Sequence, residues 1–224
     1  MTALIRLESV SRVFRSGELE VTALRDIDLQ IDAGEFIAVI GPSGAGKSTL
    51  LNIIGGLDRP TSGRYLLQDR VATNIPDAEL ARIRNRVMGF VFQSFNLIPE
   101  LTALENVELP LLYRRHYPFS RVRAASVLKS IAPGIRGEQP AALLSAGEQQ
   151  RVAIARAIVA NPVIILADEP TGSLDPANSV TILRHLSLLH QRGATVILAT
   201  HDPAIAQIAG RSFRLAQGTR ERAA

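Results

Sequence analysis

Phe36-Ile37-Ala38-Val39-Ile40-Gly41-Pro42-Ser43-Gly44-Ala45-Gly46-Lys47-Ser48-Thr49 is the stretch that decides the fold. Its first residues form a short, continuous apolar run, the pattern of a parallel strand buried on both faces. The run leads directly into the G-x-x-x-x-G-K-[ST] pattern, and a helix is expected over residues 47–54, stopped by Gly55-Gly56. Strand, glycine loop and helix in that order make a phosphate cradle. The glycines let backbone N–H groups turn inward, and the helix N-terminus adds its positive end. Gly41, Pro42, Ser43, Gly44, Ala45, Gly46, Lys47, Ser48 and Thr49 are therefore the expected nucleotide-binding set. Lys47 would reach the β- and γ-phosphates and the Ser48 hydroxyl would ligate Mg²⁺.

Outward from the cradle, residues 4–31 alternate apolar and polar around a turn at Ser16-Gly17, which predicts antiparallel strands. Residues 61–71 predict a short hairpin. Pro76-Asp77 opens a charged helix to residue 87, followed by a strand over 88–92. Residues 94–160 are mostly helical in pattern, broken by Pro110, Pro118, Pro133 and Pro140. Two strand–helix units follow: a strand over 163–167 with a helix from Pro176, and a strand over 195–200 with a helix from Pro203. The expected class is α/β, a P-loop NTPase with a RecA-like, mostly parallel sheet, an N-terminal antiparallel β subdomain and an inserted helical subdomain. One domain is expected over residues 4–224. Its nucleotide-binding core would take residues 4–93 and 158–217, with the helical part over 94–157.

The chain has 224 residues, long enough for a full core. Its composition, 46% hydrophobic and 21% charged, is that of a globular, soluble protein. No segment approaches the ~20 continuous apolar residues that cross a bilayer. The first residues have neither the basic start nor the apolar core of a secretory signal, so the chain is expected to stay where it is made. Cysteine is absent, which excludes disulfides and thiolate metal sites. The net charge of +4 comes from arginine, Lys47 and Lys129 being the only lysines. No basic run is long or interleaved with aromatics, so a solvated surface accounts for the charge better than nucleic acid does.

Val163-Ile164-Ile165-Leu166-Ala167-Asp168-Glu169 is a second apolar strand, ending in two carboxylates. Charge at such a strand end is costly unless a cation or hydrogen bonds compensate. Asp168 would hold Mg²⁺, directly or through water, and Glu169 would polarise the attacking water as general base. Gln93 follows the strand over 88–92 and so falls at the carboxyl edge of the sheet, where an amide can touch both Mg²⁺ and the attacking water. His201 follows the strand over 195–200 on the same edge. As a neutral imidazole it could bond the γ-phosphate and orient water and Glu169. His116, His185 and His190 read as surface residues. Phe14 is open between stacking on adenine and packing in the first strand pair.

Leu144-Ser145-Ala146-Gly147-Glu148-Gln149-Gln150-Arg151 is a second short Ser/Gly turn ahead of the acidic strand. One nucleotide site needs a single cradle, so a second turn suggests that two chains share each nucleotide. At this point the motifs together resemble the ATP-binding cassette (ABC) family over residues 4–217. Leu144-Ser145-Ala146-Gly147-Glu148 is similar to its signature turn, and Glu169-Pro170-Thr171-Gly172-Ser173-Leu174-Asp175 to its dimer-contact loop. The order Gln93, Ser145, Asp168, Asp175, His201 is also the family order. The resemblance implies two cassettes facing head to tail. Ser145 and the Gly147 backbone of one chain would grip the γ-phosphate held by Lys47 of the other, with Asp175 at the contact. Two departures stand out. Ala146 replaces a glycine, which weakens closure if that position needs φ > 0. Glu148 replaces the commoner glutamine and brings negative charge near a polyanion. Residues 129–143 match the family loosely.

Within the family, the stretches around Ser16-Gly17-Glu18, Gly55-Gly56-Leu57-Asp58 and Val91-Phe92-Gln93-Ser94 resemble the macrolide-exporter, lipoprotein-release and cell-division permease ATPases. Partners of that subgroup are four-helix membrane permeases with large extracytoplasmic domains. The resemblance thus implies an ATP- and Mg²⁺-dependent cytoplasmic ATPase, peripheral on the inner face of the membrane through integral membrane permease subunits. It would pair with a second copy of itself, with no nucleic acid expected. A groove between the core and the helices after Gln93 would pass motion to the permease. A soluble ABC ATPase acting on nucleic acid or ribosomes is the alternative, but only a short helical segment stands where chromosome-maintenance types need a coiled coil. A kinase would leave Ser145 to Glu148 unexplained. A binding-only cassette sits poorly with Lys47, Asp168, Glu169 and His201 all being present.

Overall fold

The computed structural model describes residues 3–114 and 120–221. The expectations at His116, Pro118 and residues 222–224 lie outside the described residues. In chain order the elements are β1 (Ala3–Ser16), β2 (Leu19–Asp32), β3 (Phe36–Ile40), α1 (Lys47–Ile54), β4 (Ser62–Leu67), β5 (Arg70–Val71), α2 (Asp77–Val87) and β6 (Met88–Val91). There follow α3 (Ala103–Leu112), α4 (Ser120–Ile131), α5 (Ala146–Ile158), β7 (Ile164–Asp168), α6 (Pro176–Gln191), β8 (Thr195–Thr200), α7 (Pro203–Ala206), β9 (Arg211–Ala216) and β10 (Thr219–Arg220).

Two sheets result. An antiparallel one runs β2-β1-β4-β5, and a mixed one runs β10-β9-β3-β8-β7-β6. In the second, β9, β3, β8, β7 and β6 are parallel neighbours and β10 alone is antiparallel. The period-2 alternation of side chains makes each central strand serve both faces. Ile164, Leu166, Ile197 and Ala199 join α1 and the antiparallel sheet in one core. Their neighbours Ile165, Ala167, Val196 and Leu198 join α3, α4, α5 and α6 in the other. Burial on both sides is why β3 and β8 read as unbroken apolar runs. The parallel order brings the carboxyl ends of β3, β8, β7 and β6 to one edge, where ligands of such sheets bind.

The structure departs from the sequence expectations in a few places. Pro110 does not break a helix but sits inside α3. It lies in the last turn, where the helix has little further to run, and the Thr102–Glu105 capping box at the other end fixes the start. The helix from Pro203 is a single short turn ending at Ala206. β9 and β10 are additional strands that the sequence reading did not assign.

Candidate functional site: a nucleotide cradle and a capped serine turn

The loop after β3 closes around Lys47. Gly46, the cap of α1, has φ of 98°, and a Cβ there would lie 2.3 Å from the Ala23 carbonyl oxygen. Only glycine fits both the backbone and the space. Lys47 is buried and its ammonium donates to the carbonyls of Gly41 at 2.9 Å and Pro42 at 3.1 Å. Its Nζ is also 3.3 Å from Glu169 Oε1. His201 Nδ1, one residue beyond β8, lies 3.0 Å from that same carboxylate oxygen. Glu169 adopts the left-handed region at φ 44°, held by its N–H donating to Ala199 O at 3.0 Å and its carbonyl accepting from Gly172 N at 3.1 Å. Strained backbone of this kind persists only where the surroundings over-determine it. Gln93 is exposed, and its amide nitrogen sits beside Gly172, 3.1 Å from where a Cβ on that glycine would be.

Asp168 ends β7 with one oxygen, Oδ1, buried and without a hydrogen-bond partner among the described residues. Burial pushes its carboxyl above the usual aspartate range. The Ser48 hydroxyl opposes that rise, Glu169 adds to it, and Lys47 lowers it. An orphaned carboxylate oxygen beside a hydroxyl suits a hard divalent cation. Among the described residues no group of three or more His, Cys, Asp or Glu could hold a metal by itself. The donor set therefore fits Mg²⁺ that takes its remaining ligands from phosphate and water, as this ion usually does.

A second centre lies at the start of α5. Ser145 caps the helix: Glu148 N–H donates to its Oγ at 3.4 Å, while Glu148 Oε2 accepts from Ser145 N and Oγ, each at 2.9 Å. These bonds, the backbone one first, hold the Glu148 carboxyl below the usual glutamate range. Ala146 is the first residue of α5 and does not have positive φ, so the penalty conditional on such a backbone does not arise. Gly147 is close-packed for a different reason. A Cβ there would fall 2.6 Å from the Asn178 side-chain amide. Asn178 is in turn gripped by Asp175, the cap of α6, and its Oδ1 accepts from Arg151 at 2.7 Å. Asp175 and the signature turn are thus one bonded unit.

Sequence reasoning missed three side chains that tie the two centres together. Asn178 is the first. Gln150, fully buried on α5, donates to Pro170 O at 2.7 Å, directly after Glu169. Arg156 on the same helix donates to the carbonyls of Phe95 and Asn96, which both hold positive φ just past Gln93. Burial lowers the Arg156 guanidinium to about 10. Helical spacing from Ser145 places Gln150 on the core side, but nothing in the sequence names its partner. Phe14 is 42% exposed on β1 with the Arg12 guanidinium 4.4 Å from its ring centroid, so it packs against that side chain and not in the core. His190 and His185 are not simple surface residues. His190 Nε2 is 2.9 Å from Gly34 O with its ring edge-on to Phe36 at 5.5 Å. His185 is half-buried, and burial, then Arg151 and Arg184, lowers its pKa.

A phosphate loop between β3 and α1, with an acidic end on β7 two strands away, defines a P-loop nucleoside triphosphatase. The chain belongs to the ABC transporter family, whose model matches residues 24–172. It is similar to the macrolide export ATP-binding/permease protein MacB of Marinobacter nauticus, 48% identical over 216 residues, covering 96% of this chain and 34% of that protein. An ABC transporter ATP-binding protein of Bacillus subtilis, YvrO, is 48% identical over 216 residues, covering 96% of this chain and 94% of that one. The chain therefore spans about a third of the length of the MacB protein and nearly all of the separate ATP-binding protein. Among solved structures it is similar to the ATP-binding cassette MJ0796, seen as a dimer in a post-hydrolysis state bound to ADP and Pi. TM-score is 0.90 at 44% identity, over 97% of both chains. A further dimeric structure of that cassette matches equally, with 45% identity. The protein is an ATPase that uses ATP with Mg²⁺.

Proposed function

We propose that this chain is the ATP-hydrolysing cytoplasmic subunit of an ABC transporter complex, closing with a second copy of itself on ATP to drive a separate integral membrane permease. The observation that carries the reading is the pair of half-sites on one chain. Lys47, Asp168, Glu169 and His201 converge at the sheet edge, while Ser145 heads a helix of its own. The N–H groups of Ala146 and Gly147 have no acceptor among the described residues, and at a helix N-terminus they make an anion receptor. A head-to-tail pair would let that receptor meet the γ-phosphate held by the facing Lys47.

In the proposed reaction, Lys47 exchanges the Gly41 and Pro42 carbonyls and Glu169 for the phosphates. The Glu169 carboxylate is then free to take a proton from the attacking water, with His201 bonded to the same oxygen to keep it in place. Ser48, Asp168 and Gln93 would hold Mg²⁺, which when bound neutralises charge on the phosphate oxygens. The loop from Gly41 to Gly46, with Thr49, would supply backbone donors, Phe14 would stack on adenine, and Asp175 would line the contact between copies. Residues 4–93 and 158–217 would act as the nucleotide-binding body and residues 94–157 as the part that carries the signature.

A groove of about 510 Å³ supports the permease part of the reading. Phe90, Phe92, Leu109, Pro110 and Tyr113 line it, with Arg156 at its wall. Tyr113 is 81% exposed and so is open to contact. Among the described residues no helix is long and apolar enough to cross a membrane. The MacB relative, by its name, joins ATP-binding and permease functions in one longer protein.

The test is Glu169→Gln. It should retain Mg²⁺-ATP binding, trap an ATP-dependent dimer and lower phosphate release by roughly a hundredfold or more. A variant that turns over ATP normally, or that stays monomeric at saturating ATP, would overturn the reading.

A further inference from the structure

Ser145 has one hydroxyl proton and one N–H to give, and both already go to the same oxygen of Glu148, each at 2.9 Å. An identical box caps α3, where Thr102 N and Oγ1 donate to Glu105 Oε2 at 2.9 and 2.7 Å. There the arrangement starts a helix. At α5 the same donors face a second claimant, the phosphate of a facing chain. The Glu148 carboxylate also occupies the positive end of a 13-residue helix, the field that favours an incoming phosphate. Arg151, one turn on, offsets part of that charge, while its guanidinium is bonded to Asn178 Oδ1 at 2.7 Å.

We propose that Glu148 is a built-in competitor for the partner's γ-phosphate: it holds the Ser145 hydroxyl in the unpaired chain and sets the ATP concentration at which two copies close. The proposal rests on the reading that Ser145 grips the nucleotide of a facing copy. Arrival of the phosphate then has two stages. The free N–H groups of Ala146 and Gly147 receive it first, and the Ser145 hydroxyl turns to it only as Glu148 lets go. Since Gln can complete the same capping box, Glu148→Gln removes the charge and keeps the helix start.

The experiment is sedimentation velocity of Glu169→Gln protein titrated with Mg²⁺-ATP, alone and with Glu148→Gln, Glu148→Ala or Ser145→Ala added, at low and high salt. Glu148→Gln should lower the half-saturating ATP for dimerisation about fivefold, with the gain shrinking as salt rises, while slightly lowering the melting temperature without nucleotide. Glu148→Ala should move the threshold in the same direction despite a lower melting temperature, which loss of a helix cap alone would not do. If Ser145→Ala prevents pairing but Glu148→Gln leaves the threshold unchanged or raises it, Glu148 is no competitor and the shared-nucleotide reading stands. If Ser145→Ala pairs as readily as its parent, both fall together.

Discussion

Gly46 carries two constraints at once: a left-handed backbone, and an Ala23 carbonyl oxygen 2.3 Å from where a Cβ would stand. Replacing it by alanine should cost about 1–3 kcal/mol from backbone strain alone, seen as a lower denaturation midpoint, and should weaken ATP binding more than stability because the cradle N–H groups turn with that residue. The neighbouring Lys47 shows why the cradle is stable without its nucleotide. Its ammonium is fully engaged by two loop carbonyls and Glu169, so no charge is left buried and unpaired. The motif pattern made every residue of the loop legible in the sequence. What it did not reveal is that the lysine and the proposed base hold each other until phosphate separates them.

Among the elements, three helices start with a carboxylate whose pKa is pulled down by cap hydrogen bonds: Glu105 on α3 and Glu148 on α5, each mainly by the cap residue's backbone N–H, and Asp175 on α6 by Asn178 N–H. A carboxyl depressed in the folded state adds stability above its unfolded value and loses it as pH falls through the lower folded value. The midpoint of chemical denaturation should therefore fall on acidification, gently below about pH 6.5 as the depressed His185 stays neutral in the fold, and more steeply below about pH 4.5 as the caps are lost. A chain whose midpoint rises on acidification over that window would contradict these caps. Tyr65 joins two other elements: its buried hydroxyl donates to the last carbonyl of α1, Ile54 O, at 2.6 Å, and so ties β4 to the cradle helix. Burial raises its phenol well above the usual range, keeping it a neutral donor at physiological pH. Tyr65→Phe leaves that carbonyl unsatisfied and should cost about 1–3 kcal/mol in equilibrium unfolding, with the ATPase rate per folded molecule little changed.

For the whole molecule, α5 is the member that would join the two proposed half-sites. It starts at Ser145, passes Gln150 under Pro170 and ends with Arg156 holding the loop after Gln93. In the proposed pair, a displacement of Ser145 by a facing nucleotide would act on the Glu169 loop and on the Gln93 loop through this one helix. Mg²⁺-ATP at a hundred times its dissociation constant should stabilise the fold by about 2.7 kcal/mol, or roughly 5–10 °C in a chain of this size. Lys47→Ala should abolish the shift in a thermal melt, and a shift that survives that change would place the nucleotide elsewhere.

The sequence by itself determined the strand–loop–helix cradle, the acidic end of β7 and the strand-helix order of the parallel sheet. These are local matters: glycine spacing, apolar period and the residue at a strand end are each readable within a few positions. It was less informative wherever a partner sits far along the chain. β9 alternates with Phe213 and Leu215 inward, yet nothing local says that it pairs with β3. Pro110 is a helix breaker locally, but the long-range packing of Val107 and Leu111 into the helical core keeps α3 going past it. Asn178 against Gly147, Gln150 under Pro170 and Arg156 on the Phe95 carbonyl join residues tens of positions apart. Only the tertiary structure decided those contacts, because a hydrogen bond or a close approach depends on where two segments meet in space, which no local pattern records.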